Sequence, residues 1–266
     1  MRTRGGPGMF GRALRTLRDG LLSLAYPASC RLCGEPVAGW DDGVVCGNCW
    51  RDPELTRLFA AFLLCAKCGV PLPGLADDKR TCNDCDALPI SSARACGAYM
   101  GALQANILFL KPHPHICPRL RRLIHNTFSA HRDALASEVT IPVPLHPSRR
   151  RERGFNQAAL IARVIARGFG LRLDEHTLIR VKHTERHRAG MDAVDRARSV
   201  ERAFRVVRPK LVKNTAVLLV DDVYTTGSTI SAAAAELLAA GASRVNVLTI
   251  ARVTSAANLP PISLTE

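Results

Sequence analysis

The sequence predicts an α/β protein, a parallel sheet flanked by helices, with a small cysteine-rich module in front of it. Three observations carry that prediction. From about residue 139 onward, apolar strand-like runs alternate with helical segments. Eight of the ten cysteines fall into four C-x-x-C pairs ahead of that region. The run "AVLLVDD" ends in two adjacent carboxylates and continues at once into "VYTTGST", hydroxyls gathered around one glycine. With 266 residues, 47% of them hydrophobic, the chain has the material for one large domain and an appendage. No apolar stretch approaches the roughly 20 residues of a membrane helix.

The chain starts "MRTRGGPGMFGRALRTLRDGLLSLAYPASC". An arginine-rich start, a short apolar run and small residues before a cysteine look like a secretion or lipoprotein signal. The run from Leu21 to Ala25 is nonetheless shorter than the roughly 7 to 15 residues of a signal core, and Asp19 and Gly20 cut it off. Residues 1–24 therefore read as a basic extension, disordered or helical, of a cytoplasmic protein.

The cysteines come next. Cys30 and Cys33 are followed after twelve residues by Cys46 and Cys49; Cys65 and Cys68 are followed after thirteen by Cys82 and Cys85. Two such knuckles can set four thiolates tetrahedrally around one zinc, and the arrangement occurs twice. Four sulfurs leave no open position for water, so the metal is expected to be structural, supplying folding energy to a segment without a core of its own. Spacing alone leaves open one or two ions, and sequential or crosswise pairing. A disulfide framework would also fit eight paired cysteines, but it belongs to secreted chains and no signal core is present. Cys96 and Cys117 stand outside the pattern and read as buried thiols.

In "LFLKPHPHICPRLRRLIHNTFSAHRD", residues 108–133, His113, His115 and Cys117 alternate like metal ligands. Prolines at 112, 114 and 118 make the stretch a turn or extended loop, and no acid or second histidine pair lies close by, so it reads as surface loop.

The α/β region follows: strand "VTIPVPL" (139–145), amphipathic helix "NQAALIARVIARGFG" (156–170), strand "AVLLVDD" (216–222), helix "STISAAAAELLAAG" (228–241) stopped by Gly241, and strand "RVNVLTIAR" (244–252). Ligands on parallel sheets bind beyond the carboxyl ends of the strands, which puts Asp221, Asp222 and the loop after them at the site. Unpaired N–H groups of a helix start, Gly227 for close backbone approach, and the hydroxyls of Thr225, Thr226, Ser228 and Thr229 make a phosphate cradle. It has neither the lysine of a P-loop nor the spaced glycines of a dinucleotide fingerprint. Carboxylates repel phosphate but accept hydrogen bonds from a ribose diol. The two halves together describe a 5-phosphoribosyl group.

These residues resemble the binding motif of type I phosphoribosyltransferases for phosphoribosyl pyrophosphate. More narrowly, the eight-cysteine front, "IPVPLHPSRRRERGFNQ" (141–157), "VLLVDDVYTTGST" and "GASRVNVLTIAR" together resemble the ComF family, called ComFC or GntX, over about residues 28 to 252. The resemblance implies that Asp221 and Asp222 contact the ribose, that residues 225–229 hold the 5-phosphate, and that Arg149, Arg153 and Asn156, with Gly154 and Phe155, lie near the pyrophosphate. It implies that the stretch from Arg180 to Arg198 is a closing loop. It also implies Mg²⁺ with the substrate, phosphoribosyl transfer to an unnamed acceptor, and a link to DNA uptake and single-stranded DNA. The chain departs from the family pattern at His187, commonly glutamine, at Ser199, commonly asparagine, and at Lys111-Pro112, commonly lysine-tyrosine. Those departures keep a second reading open, a protein that retains the fold to sense ligand or bind DNA.

Charge bears on the partner. Net charge is +14, and from Pro147 to Lys210 the chain carries 17 Lys plus Arg against 7 Asp plus Glu, so this segment supplies +10. A pyrophosphate needs two or three cations; the surplus is either a solvated face or a nucleic-acid track. At 5% aromatic residues, base-stacking platforms are not evident. The expected organisation is a basic extension at 1–24, a zinc module at 25–95, the α/β domain at 96–255 and a tail at 256–266.

Overall fold

The computed structural model describes residues 28–37, 39, 41–52, 63–72, 81–82, 85–182 and 202–254. The expectations for residues 1–24, for the tail at 256–266 and for 183–198, with those for His187 and Ser199, lie outside the described residues.

A five-stranded parallel sheet forms the centre. Its strands are β1 (Ser92–Ala95), β2 (Val139–Pro142), β3 (Arg172–Leu173), β6 (Ala216–Tyr224) and β7 (Arg244–Arg252), in the order β1-β7-β6-β2-β3. A separate antiparallel pair joins β4 (Leu178–Arg180) to β5 (Phe204–Val206). Among the described residues the α-helices are α1 (Gly47–Trp50), α2 (Gly101–Leu110), α3 (Pro118–Ala130), α4 (Pro147–Arg153), α5 (Gln157–Phe169) and α6 (Ser228–Ala239). Among the described residues, no helix is long and apolar enough to cross a membrane.

β6, at the middle of the sheet, opens with the continuous apolar run Ala216–Val220 because both of its faces are covered. In β6, Leu218 and Val220 pack with α2, α3 and α5, whereas Val217 and Leu219 pack on the opposite face with α6 and the β4–β5 pair. Each of these four side chains is fully buried. At about 25 cal/mol per Å² of apolar surface, a fully buried Leu or Val adds about 1.5–3 kcal/mol before entropy is charged against it.

The strand expected at 139–145 ends at Pro142; Val143 N–H still donates to the Val220 carbonyl at 2.8 Å, and from Pro147 the chain is helical. The helix expected at 156–170 spans Gln157–Phe169, with Asn156 as its N-cap and Gly170, at φ 69°, as its C-cap. Within residues 108–133 the loop reading holds for 111–117, which carries His113, His115 and Cys117, and is corrected on either side. The end of α2 and the whole of α3 fall inside that stretch, with only a short turn between them. Pro118 does not break α3 because it sits in its first turn, where the missing N–H has no helical acceptor. Leu120, Ile124 and Phe128, spaced by four, give α3 its buried stripe.

Candidate ligand site and zinc ribbons

β6 brings Asp221 and Asp222 to the carboxyl edge of the sheet. β6 pairs with β7 through Asp221↔Thr249 and resumes at Val223↔Ala251. The two carboxylates have different further partners. Asp222 Oδ2 accepts a hydrogen bond from Gln157 Nε2 at 3.3 Å, from the first turn of α5. Asp221 interacts electrostatically with Arg180 at the end of β4. Burial, and then the charge of Asp222, push the Asp221 carboxyl well above the usual carboxylate range, although the backbone N–H of Asp222 donates to its Oδ1 at 2.9 Å. Two acids held this closely make a costly pair unless something else in the site offers them donors.

Beyond Tyr224 the chain turns through Thr225, Thr226 and Gly227 into α6. Thr225 and Thr226 are exposed, while Gly227 is buried. Gly227 has φ +80° and serves as the α6 N-cap. A Cβ there would meet the Tyr224 hydroxyl at 2.6 Å, and Tyr224 is itself 3% exposed, so the hydroxyl has little room to give way. Thr226 Oγ1 lies 2.9 Å from Ser228 Oγ, and the Ser228 N–H faces Thr226 Oγ1 at 3.5 Å. The loop thus presents hydroxyls at the positive end of a twelve-residue helix, an arrangement suited to an anion. Thr229 falls in the first turn of α6.

The segment after β2 forms the opposite wall. α4 carries Arg149, Arg150, Arg151 and Arg153 and closes on Gly154 in the left-handed conformation. Arg153 donates to Gln157 Oε1 at 2.9 Å, so one amide links the arginine to Asp222. Asn156 is used locally: its Oδ1 caps Ala158 N–H at 3.1 Å, and its Nδ2 donates to the Val143 carbonyl at 3.0 Å. Arg180 has its guanidinium pKa lowered by burial and then by Arg149, while Asp221 opposes the shift. Arg149 and Arg180 therefore converge as like charges that an anion would relieve. Two residues without a role in the sequence reading also stand here. Gln157 closes the "GFNQ" run, where a glutamine has no distinctive chemistry until Asp222 and Arg153 are brought to it. Tyr99 has its pKa raised by burial and then by the charge of Asp222. Nothing in the local sequence around Tyr99 marks it, because it reaches the site only through the folding of β1 onto β7.

The thiols separate into two clusters. Cys30, Cys33, Cys46 and Cys49 form one and Cys65, Cys68, Cys82 and Cys85 the other, each with its sulfurs within 4.8 Å of one another. Cys33 and Cys46 Sγ are 3.6 Å apart, Cys65 and Cys85 3.6 Å, and Cys68 and Cys82 3.5 Å. Tetrahedral zinc with bonds of about 2.3 Å places its sulfurs about 3.8 Å apart, so both sets fit the ion, and the pairs are used sequentially. Backbone N–H groups of Cys68 and Cys82 point at Cys65 Sγ at 3.4 and 3.3 Å. Against burial, they draw that thiol down to about 6, toward the thiolate a metal requires. None of the ten cysteines is in a disulfide. His113 stacks on Phe109 with centroids 4.4 Å apart, and the buried Cys117 thiol faces Asn106 Oδ1 at 3.6 Å. Among the described residues the metal-competent groups are the two cysteine clusters, and His113, His115 and Cys117 form no third.

The family model for a double zinc ribbon domain matches residues 21–86, and that for a phosphoribosyl transferase domain matches residues 156–261. The DNA utilization protein YhgH of Salmonella typhi is 30% identical over 241 residues, covering 86% of this chain and 99% of that protein. The chain belongs to the ComF family. Within that family, Competence protein F of Haemophilus influenzae is 37% identical over 116 residues, covering 43% of this chain and 50% of its own. The competence protein ComFC of Bacillus subtilis is 34% identical over 119 residues, covering 43% and 44%. A ComF chain is thus a double zinc ribbon joined to a phosphoribosyltransferase-type domain, and the two cysteine clusters are structural zinc sites in kind.

Proposed function

We propose that this protein binds phosphoribosyl pyrophosphate with Mg²⁺ and transfers its phosphoribosyl group to an acceptor. The observation that carries the reading is the placement of two acids and a hydroxyl-bearing helix start at the same end of β6. Asp221 and Asp222 accept hydrogen bonds from the ribose hydroxyls, with Gln157 fixing the Asp222 carboxylate. Residues 225–229 hold the 5-phosphate. Arg149, Arg153 and Arg180 face the pyrophosphate, with Arg153 also held by Gln157. Asn156 supports the wall through its cap and is a positioning residue. Mg²⁺, bound mainly by pyrophosphate oxygens and water, offsets leaving-group charge. The protein's own contribution is preorganised charge: carboxylates beside a ring that turns positive, cations beside a departing anion.

Calorimetry with phosphoribosyl pyrophosphate and Mg²⁺ tests the binding. The expected result is a saturable site that pyrophosphate alone fills much more weakly, and that Asp221→Asn with Asp222→Asn weakens by an amount in the range of about 1.5–3 kcal/mol per charge-assisted bond. Equal affinity in wild type and the double variant would overturn it. Pyrophosphate release that depends on an added nucleobase or amine tests the transfer. A second reading, ligand sensing coupled to DNA handling in the cytoplasm, is favoured by the basic segment and by the relatives' names, DNA utilization and competence proteins. Tight ligand binding with no release across an acceptor screen would favour it.

A further inference from the structure

A second cavity lies away from the proposed ligand site, between α3, α5 and the turn that precedes α3. Its volume is about 510 Å³, and its walls include Arg121, His125, Leu160, Arg163, Val164 and Arg167. α5 separates the two places. Gln157 at its start touches Asp222, while Arg167 lies ten residues further on, a rise of about 15 Å along a helix.

The chemistry of this cavity is one-sided. Three arginines and two histidines line it, His115 being the second, and no carboxylate does among the described residues. Arg163 is neutralised from behind by Glu175 through a bidentate pair, Nε to Oε1 at 2.8 Å and Nη2 to Oε2 at 2.9 Å. Arg121 and Arg167 have no side-chain hydrogen bond or ion pair to the described residues, so among those residues two guanidinium groups line one opening with no counter-charge of their own. The rest of the wall is apolar, from Leu160, Val164 and Ile116. A planar group completes it: the His125 ring stacks on Phe169 with centroids 4.5 Å apart and an interplanar angle of 25°. Gly168 permits that position, since a Cβ there would come within 3.3 Å of the imidazole.

Cations that remain unpaired at the mouth of a concave, partly apolar cavity select an anion with a nonpolar body over a small hydrated ion. The flat imidazole and the aliphatic walls suit a base, and the arginine forks suit a phosphate. We infer that this cavity is a nucleotide-binding site, taking a nucleoside monophosphate, free or as one nucleotide of a single strand, and distinct from the site at β6.

The test titrates the full-length zinc-loaded protein with dAMP, with a short oligodeoxynucleotide and with inorganic phosphate at low salt, following the methyl resonances of Leu160 and Val164 as well as affinity. Binding of dAMP that shifts those methyls supports a free nucleotide; binding of the oligodeoxynucleotide alone with the same shifts supports a nucleotide in a strand. Arg121→Ala with Arg167→Ala, both at exposed positions, is expected to weaken the bound ligand about tenfold or more, the loss of at least one charge-assisted contact. Glu236→Gln, on α6 and away from both places, is expected to leave the Leu160 and Val164 shifts unchanged. The assignment fails if neither nucleotide probe binds, if binding leaves the Leu160 and Val164 methyls unshifted, if phosphate shifts them as dAMP does, or if the arginine variant keeps the full shifts at the same ligand concentration.

Discussion

Asp221 shows how one residue can be kept at a cost to the fold. Its carboxyl is raised by burial and by Asp222, so the folded chain disfavours the charged form. The unfolded group titrates near about 4, and stability is lost as pH rises from there through the folded pKa. Asp221→Asn keeps the acceptor for the Asp222 N–H and removes the charge. Its melting temperature at neutral pH is expected to rise, by about 2–4 °C for each kcal/mol recovered, and the gain should vanish below about pH 4. A scan of both proteins from pH 3 to pH 8 checks the sign; a variant less stable than wild type at neutral pH would count against it. Gly227 is the second such residue. Gly227→Ala would combine a left-handed backbone, unfavourable by about 1–2 kcal/mol for a residue with Cβ, with a clash at the Tyr224 hydroxyl. Thermal unfolding should show at least that loss.

At the scale of elements, the second ribbon is tied to the sheet edge. Ala93 N–H donates to the Lys67 carbonyl at 2.6 Å, and Arg94 Nη1 reaches the Ala66 carbonyl at 3.1 Å. Arg252, at the end of β7, donates to the Cys68 carbonyl at 2.7 Å and lies 3.7 Å from Cys68 Sγ, while its guanidinium covers the Tyr224 ring at 4.1 Å. That path runs from a zinc ligand to the residue packed against Gly227. Gly69, at φ +71°, is the point of closest approach: a Cβ would sit 2.3 Å from the Ala93 carbonyl oxygen, which is backbone and cannot rotate away. Elemental analysis of the purified chain should find two zinc equivalents. Gly69→Ala should lower the melting temperature and speed the loss of one of them to a chelator. Arg252→Met should speed that loss too, with a smaller effect on melting, because it removes the donors and leaves the backbone alone. Unchanged release kinetics in both variants would mean that the ribbon and the sheet are independent. Cys65→Ser or Cys68→Ser should remove one zinc while leaving the sheet assembled.

For the whole molecule, the charge of +14 predicts a partner that is anionic and salt-sensitive. Single-stranded DNA is expected to bind weakly at low salt, with log affinity falling linearly against log salt at roughly 0.7 per phosphate contacted. A flat salt dependence would return the arginines to the role of a solvated face. Much of the architecture could be read without coordinates. Alternating apolar and helical segments gave the parallel sheet because strands covered on both faces must be apolar throughout, as Val217 to Val220 are. C-x-x-C spacing announced the ribbons because four sulfurs at that spacing have little else to do. Acids followed by hydroxyls marked the candidate ligand site because both lie on one contiguous strand and turn. α3 was hidden because proline reads as a breaker until its position in the first turn is known. Tyr99, Arg252 and the pairing of the thiols were invisible for another reason: each depends on contacts between segments far apart in the chain. The sequence by itself therefore determined the class of fold, the zinc chemistry and the candidate phosphate loop, all properties of local pattern. Only the tertiary structure decided that Arg180 comes up to Asp221, that Gln157 links Arg153 to Asp222, and that Arg121 and Arg167 share a cavity, because long-range packing alone brings those groups together.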